Sequence, residues 1–256
     1  CSGGMISVAA GEDWDDFVAW IIGKGFAGIE TLSGIPGTVG ASPIQNIGAY
    51  GHEVSEVIAR VRTWDRKAGE LKTLSSTECE FAYRSSRFKR EKDRYVVLDV
   101  TFQLRQGEMS LPIAYKELAE HLGVELGARA LVTDVRKSVL ELRGKKGMVL
   151  DKKDHDTWSA GSFFVNPIVD ASIAAKLPSD APKWPQIDGR VKLSAAWLME
   201  RSGVHKGSAH NGAGVSRKHV LALVNNGSAT SADMVELARS AKVAVREKDR
   251  KSTRLN

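Results

Sequence analysis

The sequence predicts an α+β protein built from two lobes, and three observations support this fold class. Apolar residues recur at helical spacing in several segments, which predicts amphipathic helices. Alternating apolar and polar residues between positions 54 and 104 predict strands. A polar loop rich in Gly and Asp near residue 148 separates this region from a second set of helix and strand patterns. We therefore expect domains over residues 1–148 and 149–248, followed by a tail over 249–256.

The first lobe begins with a helix over residues 12–24, which is followed by a long loop at 33–51. Strand patterns come next, and we interpret them as a mixed sheet with mainly local connections. Two helical patterns complete the lobe. The predicted strands lie over 54–65, 69–75 and 94–104, and the two helices over 113–125 and 130–142.

The second lobe has shorter elements, and its last helix is the clearest of them. That helix is predicted over 231–246, with Ser231 as its N-cap. The other predicted elements are a strand near 162–166, a helix near 171–176, a helix over 194–201 and a strand over 219–224.

Composition and charge exclude several classes of function. A chain of 256 residues that is 42% hydrophobic and 27% charged is typical of a soluble globular protein. No run approaches the ~20 apolar residues of a membrane span, and Cys1 and Cys79 cannot form a disulfide framework. The net charge of +6 is spread along the chain rather than clustered with aromatics. We therefore expect a cytoplasmic protein with an anionic small-molecule ligand, and neither nucleic acid nor a membrane as partner.

Common nucleotide and metal motifs are missing from the sequence. It contains no G-x-G-x-x-G, no P-loop motif, no H-E-x-x-H and no C-x-x-C. His205, His210 and His219 share one segment, but their spacing fits no standard set of metal ligands. We expect no bound metal.

Three segments stand out by their residues, but each of them also has an ordinary structural interpretation. The Gly-rich loop at 33–51 is either an ordinary connection or a cradle whose backbone N–H groups suit phosphates and flavin carbonyls. The segment 83–89, YRSSRFK, places Arg84 beside aromatics, as many surface arginines are. The segment 159–167, SAGSFFVNP, contains Ser162 but lacks the G-x-S-x-G of a hydrolase.

Taken together, these segments resemble the UDP-N-acetylenolpyruvoylglucosamine reductase family. The resemblance extends from about residue 25 to 248 and rests on four motifs in the family's order: SGIPGTVGASPIQNIGAYG, AYRSSRFK, SAGSFFVNP and KLSAAWLMERSG. It implies an FAD-binding lobe of the vanillyl-alcohol-oxidase or PCMH type that lacks its N-terminal subdomain. An α+β lobe that binds a UDP-sugar follows it.

The resemblance also implies a reaction and its partners. In the family, NADPH reduces a bound FAD, which then passes hydride to the enolpyruvyl ether of UDP-N-acetylglucosamine. The product is UDP-N-acetylmuramate, a precursor of peptidoglycan. We expect this nucleotide and NADPH to be the chain's partners, and the chain to be a monomer.

Individual residues receive roles by the same resemblance. Arg84 matches the residue that faces the substrate carboxylate, where a planar guanidinium suits the charge. Ser162 matches the proton donor to the α-carbon of the substrate. The matches to FAD contacts are Ser33, Gly34, Ile35, Pro36, Gly37, Gly40, Ala41, Ile44, Gly48 and Tyr50. The matches to nucleotide contacts are Tyr115, Lys146, Asn166, Trp184 and His219.

Two departures from the family imply a truncated chain. The family's N-terminal lobe, with the Gly-rich turn that holds the FAD pyrophosphate, has no counterpart here. Its C-terminal catalytic glutamate has none either. One alternative is therefore a catalytically incompetent fragment that acts as a flavin- or UDP-sugar-binding module. A flavin enzyme of another kind, such as an alcohol oxidase, is the third hypothesis, and SAGSFFVNP argues against it.

Overall fold

The computed structural model describes residues 3–159 and 161–253, without the side chains of 249–253. The chain divides into two compact units, Cys1–Gly144 (unit one) and Lys145–Asn256 (unit two). The division falls shortly before the predicted boundary near residue 148. Within the described ranges, no helix is both long enough and apolar enough to cross a membrane.

Unit one is organised around an antiparallel sheet with a long central strand. Its strands are β1 (Gly3–Ala9), β2 (Phe26–Ala27), β3 (Gly48–Ala49), β4 (His52–Glu53), β5 (Ile58–Asp65), β6 (Glu70–Ser75) and β7 (Tyr95–Gln106). The strand order is β1-β7-β5-β6, with β2 also paired to β7, whereas β3 and β4 form a separate hairpin. The three strands predicted from alternating patterns are confirmed as β5, β6 and β7.

The prediction of a mixed sheet with mainly local connections is wrong. Every pairing in this sheet is antiparallel. The short turn between β5 and β6 can join only antiparallel neighbours. Strand β1, which the sequence did not indicate, pairs with β7 over its whole length, from Gly3 opposite Arg105 to Ala9 opposite Asp99. This pairing joins residues almost one hundred positions apart, so the central connection is long-range.

Four helices complete unit one. They are α1 (Trp14–Gly23), α2 (Arg87–Arg90), α3 (Lys116–Leu122) and α4 (Val132–Lys145). Asp13 caps α1, because its carboxylate accepts from the backbone N–H groups of Asp15 and Asp16. Trp14 and Phe17 of α1 pack against Phe102 of β7. This packing buries the apolar stripe of α1 against the sheet and confirms the predicted first helix.

Unit two is made of two small antiparallel sheets and three helices. Its strands are β8 (Ile168–Val169), β9 (Lys183–Pro185), β10 (Val191–Leu193), β11 (Ala209–His210), β12 (Ala213–Val215) and β13 (Leu223–Asn225). Its helices are α5 (Ala171–Ala174), α6 (Ala195–Arg201) and α7 (Ser231–Thr253). The sheet orders are β8-β10-β9 and β11-β12-β13. The main core of the unit joins α6, α7, β12 and β13 through Met199, Val215, Leu223, Leu237 and Ala241.

Two strand predictions in unit two need correction. Residues 162–166 do not form a strand: only Ser162 is bridged to Ala222, and Pro167 has no N–H to continue a ladder. The strand predicted over 219–224 begins only at Leu223, because the residues before it form a turn.

The predicted cap of the last helix is also wrong. The helix begins at Ser231, so the capping position belongs to Thr230. The Thr230 hydroxyl accepts from the Asp233 N–H at 3.3 Å, and the Asp233 carboxylate accepts from the Thr230 N–H at 2.7 Å. This reciprocal pair is a capping box shifted by one residue from the prediction. Helix α7 then continues to Thr253, beyond the predicted end at residue 246.

Candidate functional site

A network of charged side chains anchors the start of the Gly-rich loop in unit one. The Gly34 N–H donates to the Asp15 carboxylate at 2.6 Å, and both Nη atoms of Arg136 donate to the same carboxylate at 2.6 and 2.9 Å. Arg143, which is buried, donates to the Gly34 carbonyl at 3.2 Å. Burial raises the pKa of Asp15, but the bonds from Arg136 and Gly34 outweigh it and hold the pKa below its usual value. The carboxylate is therefore charged at neutral pH.

Two glycines of the Gly-rich loop serve different purposes. A Cβ on Gly40 would lie 2.5 Å from the Ala10 Cβ, and the Gly40 N–H donates to the Ala10 carbonyl at 2.9 Å. Gly37 has a φ of +115°, and a Cβ there would meet no atom within 4 Å. Gly40 therefore fixes the loop against the end of β1, whereas Gly37 keeps backbone open to solvent. An exposed, glycine-bearing backbone on a rigid base fits a flat cofactor.

Arg84 braces the far end of the loop. Its φ is +52°, a left-handed conformation that is uncommon for arginine. Its Nη2 donates to the Gly48 carbonyl at 2.6 Å, and its Nη1 donates to the Asn46 carbonyl at 3.1 Å and to the Glu53 carboxylate at 3.2 Å. The structure therefore gives Arg84 a loop-holding role. Its expected role toward a substrate carboxylate stays a prediction.

Two tyrosines predicted to bind different ligands contact each other. The rings of Tyr50 and Tyr115 meet edge to face with centroids 5.7 Å apart, and Tyr115 is 48% exposed. Burial raises the pKa of Tyr50 to about 12. Tyr50 is thus a neutral hydrogen-bonding group at physiological pH, beside an exposed aromatic ring.

The remaining predicted FAD contacts fall into two groups by burial. Ser33 is buried, and its hydroxyl donates to the Glu30 carbonyl at 2.7 Å. Ile35 and Ile44 pack against the core of unit one. Pro36 and Ala41 are exposed, as is Gly37. The exposed residues are accessible to a ligand, and their roles as FAD contacts stay predictions, whereas the buried ones hold the loop in shape.

A serine and a histidine are joined in unit two. The Ser162 Oγ lies 2.9 Å from the His219 Nε2, although the two residues are 57 positions apart. Ser162 is exposed and follows Gly161, which has a φ of +80°. The bridge between Ser162 and Ala222, with a bond from the Phe163 N–H to the Leu221 carbonyl at 2.8 Å, holds the two segments side by side. The structure therefore brings together two residues that were predicted separately.

The turn that carries His219 is held by a buried serine and an aspartate. Ser216 is fully buried, and its Oγ accepts from the N–H groups of Lys218 and His219 at 3.0 and 3.1 Å. The same hydroxyl donates to the Asp156 carboxylate at 2.9 Å, and Asp156 also accepts from the Arg217 N–H at 2.8 Å. These bonds through Ser216 and Asp156 hold the backbone at His219 in place.

Three further predicted nucleotide contacts belong to unit two. The Asn166 side-chain carbonyl accepts from the Ala195 N–H at 3.0 Å, at the start of α6. Trp184 lies on β9 and is 43% exposed. Lys146 is half-buried near the start of the unit. Their nucleotide-binding roles stay predictions.

Several residues that build these sites had no local signal in the sequence. Asp15 and Arg136 are 121 positions apart, and Asp156 and Ser216 are 60 apart. Glu53, which accepts from Arg84, looks like any surface carboxylate in the sequence. Within residues 3–159 and 161–253, no cluster of three or more His, Cys, Asp or Glu could hold a metal ion. Burial raises the pKa of the Cys79 thiol to about 12, so it is inert.

The open backbone of the Gly-rich loop suits a flat cofactor, and comparison with known proteins identifies the cofactor and the family. A family model for an FAD binding domain matches residues 1–75. A model for the C-terminal domain of UDP-N-acetylenolpyruvoylglucosamine reductase matches residues 152–251. The chain belongs to the UDP-N-acetylenolpyruvoylglucosamine reductase family, and its cofactor is FAD.

Individual relatives support this assignment. The chain is 54% identical to UDP-N-acetylenolpyruvoylglucosamine reductase of Cutibacterium acnes, over 96% of this chain and 66% of the relative. It is 50% identical to that of Thermobifida fusca, over 94% of this chain and 70% of the relative. It thus spans about two thirds of the length of these relatives, which are longer, as the resemblance implied.

A solved structure has the same fold. The crystal structure of UDP-N-acetylenolpyruvylglucosamine reductase from Thermus caldophilus matches with a TM-score of 0.62 and 23% identity. The match covers 93% of this chain and 68% of that one. It supports the predicted α+β fold class.

Proposed function

We propose that the chain is the FAD- and substrate-binding part of an enzyme that reduces the enolpyruvyl ether of UDP-N-acetylglucosamine to UDP-N-acetylmuramate. NADPH is the reductant, and the reaction serves peptidoglycan synthesis in the cytoplasm. Residues 1–148 carry the flavin and residues 149–248 the UDP-sugar. The protein acts as a monomer, without nucleic acid or membrane.

The bound FAD supplies hydride transfer, and the chain's own residues orient and protonate the substrate. After hydride reaches the β-carbon of the enol ether, negative charge builds at the α-carbon and spreads into the adjacent carboxylate. A hydroxyl group is a weak acid, so it can protonate only a strongly basic centre of this kind. Ser162 is the donor in this proposal, because its hydroxyl is exposed and held by Ala222 and His219.

Arg84 has two proposed tasks, both suited to a guanidinium. Its described bonds to the Gly48 and Asn46 carbonyls hold the loop that would bind the flavin. The positive charge of the same group stabilises the substrate carboxylate as charge develops on it. A lysine would keep the charge but lose the planar fork that spans two carbonyls.

The observation that carries the proposal is the 54% identity to the Cutibacterium acnes reductase across nearly the whole chain. The exposed Ser162 hydroxyl and the rigid loop with its open backbone at Gly37 support it. The predicted nucleotide contacts Tyr115, Lys146, Asn166, Trp184 and His219 are cationic, aromatic or hydrogen-bonding groups, as a UDP-sugar requires.

The test is turnover by a protein that carries this chain together with the family's N-terminal lobe and C-terminal catalytic glutamate, supplied with FAD. We expect sustained NADPH oxidation, beyond the single equivalent that reduces the bound FAD, only when the enolpyruvyl nucleotide is present. The product should be two hydrogens heavier than the substrate by mass spectrometry. UDP-N-acetylglucosamine, which lacks the enolpyruvyl group, is the matched control and should not be consumed. Tight FAD binding without any reduction of the nucleotide would contradict the proposal and favour a binding module.

A further inference from the structure

The hydrogen bond between Ser162 and His219 raises a question of direction. A serine hydroxyl has a single hydrogen, and the bond to the His219 Nε2 can run either way at 2.9 Å. If Ser162 donates to the imidazole, its hydrogen is occupied and points away from the substrate. If the imidazole donates to Ser162, the hydroxyl hydrogen is left for another acceptor.

The surroundings of His219 make the pair a built arrangement rather than a chance contact. The His219 backbone N–H donates to the buried Ser216 Oγ, which in turn donates to Asp156. Ser162 is aligned with this turn by its bridge to Ala222. The backbone is thus held in place at both ends of the bond, which keeps the imidazole and the hydroxyl near each other.

We propose that His219 is a positioning residue for Ser162, with its Nε2–H donating to the Ser162 Oγ so that the hydroxyl hydrogen faces the substrate. This inference rests on the proposed function and refines it, because His219 was expected only as a nucleotide contact. It follows from the chemistry of a proton donor, which must keep its hydrogen available until the acceptor becomes basic.

Proton transfer from Ser162 to the substrate leaves a negative charge on the serine oxygen. The electron pair at the substrate α-carbon forms the new C–H bond while the Ser162 O–H bond breaks, and the negative charge passes to the Ser162 Oγ. The Nε2–H of His219 stabilises this oxygen, as a donor aimed at a developing oxyanion does. A proton from water then restores the hydroxyl.

The direction of the bond can be measured without turnover. In ¹⁵N NMR of the chain, with the signal assigned by its loss in His219→Gln, we expect the His219 Nε2 to carry a proton. Ser162→Ala should shift this signal and leave those of the other histidines in place. A neutral imidazole protonated only at Nδ1, with Nε2 accepting from Ser162, would overturn the proposal.

The function of the bond is tested by a double-mutant cycle on the oxidation of the NADPH-reduced protein by the enolpyruvyl nucleotide. His219→Ala should slow this step by about tenfold, the order of effect of one lost hydrogen bond. His219→Gln, whose amide can also donate, should recover most of that loss. In a Ser162→Ala background, His219→Ala should cause no further slowing.

The outcomes separate the two proposals. Equal slowing by His219→Ala in both backgrounds would show that His219 contacts the nucleotide directly and would overturn the inference. No slowing in either background would overturn it as well. If the unsubstituted protein does not reduce the nucleotide, the proposed function fails, and the NMR measurement still decides the direction of the bond.

Discussion

The candidate sites of the two units are built in opposite ways. In unit one the ligand-facing part is backbone, around Gly37, and distant side chains such as Asp15 and Arg136 hold it in place. In unit two the reactive part is a side chain, Ser162, and backbone interactions around Ser216 and Ala222 hold it. In the proposed function, a cofactor that stays bound would be contacted by main chain, whereas a transient substrate would be contacted by a hydroxyl.

This difference determines which substitutions each site tolerates. A site made of backbone groups tolerates most substitutions of its exposed side chains. It loses its ligand when a substitution prevents the loop from adopting its native conformation. A side-chain site fails when one functional group is lost, although the fold persists. The predictions below test this contrast.

The largest effect is expected from Ser162→Ala. Removing a positioned proton donor should slow oxidation of the reduced protein by the enolpyruvyl nucleotide by about 10²–10⁴-fold. Reduction by NADPH should be nearly unchanged, because Ser162 belongs to unit two and not to the flavin loop. Stopped-flow measurement of the two half-reactions checks this, with the exposed Ser179→Ala of the same unit as control. Equal slowing of both half-reactions would contradict the assignment.

In unit one, Gly40→Ala should change the backbone conformation of the Gly-rich loop. The new Cβ would lie 2.5 Å from the Ala10 Cβ, so the loop and the end of β1 must move apart. Overpacking of this kind costs about 1–3 kcal/mol in the free energy of unfolding. We expect a lower denaturation midpoint and weaker FAD binding.

Gly11→Ala is the matched control for this change, because a Cβ there meets no atom within 4 Å. It should leave both the midpoint and FAD binding unchanged. If Gly40→Ala behaved like Gly11→Ala, the close approach of loop and strand would affect neither stability nor FAD binding. The loop would then be more deformable than we infer.

Asn166 separates a structural role from a binding role within unit two. Its side-chain carbonyl accepts from the Ala195 N–H, so Asn166→Ala should lower the free energy of unfolding by about 1 kcal/mol. Asn166→Asp keeps the acceptor and should retain the stability. If the amide also contacts the nucleotide, this second variant should bind a UDP-sugar less tightly by calorimetry. A loss of stability in Asn166→Asp as large as in Asn166→Ala would argue against the capping bond.

The smallest expected effects are on stability at acid pH, where one ion pair from each unit can be compared. Arg94 holds the pKa of Asp65 at about 2, and the Asp65 side chain is 1% exposed. Lys218 lowers the pKa of Asp154, whose side chain is 38% exposed. Because both pKa values are depressed, each pair stabilises the fold above the ordinary aspartate pKa and loses this effect as pH falls below it.

We expect the urea midpoint of the unsubstituted protein to fall as pH decreases from about 4 toward 2, the range between the ordinary and the depressed pKa. Asp65→Asn should flatten this dependence. Asp154→Asn should change it little, because solvent screens an exposed pair. The pair in unit one is not a major contributor to acid stability if Asp65→Asn leaves the slope unchanged.

Long, periodic elements were predictable from the sequence, and short or non-local ones were not. Strand β7 was predicted because it alternates over a long run, and α1 because its apolar residues recur at helical spacing. Strand β1 lacked a signal, since Gly3 and Gly4 open it and its partner lies almost one hundred residues away. Strands of two or three residues, such as β8, are too short to show a period.

The site was predictable in its parts but not in its connections. The motifs that contain Arg84 and Ser162 were identified by resemblance, yet nothing in them indicates the bond to Gly48 or to His219. Such bonds join residues that are tens of positions apart in the sequence. A local sequence pattern does not indicate which distant residues the fold brings together.

The central position of β7 has a consequence for synthesis of the chain. Strand β1 is made first, but its partner ends at Gln106, so about one hundred residues must leave the ribosome before the two can pair. Until then β5 and β6 can form only a hairpin, which is marginal on its own. The edge of β1 stays open during this interval, and an unpaired strand edge invites pairing with other chains. Expression at low temperature, where hydrophobic association is weaker, should therefore favour soluble protein.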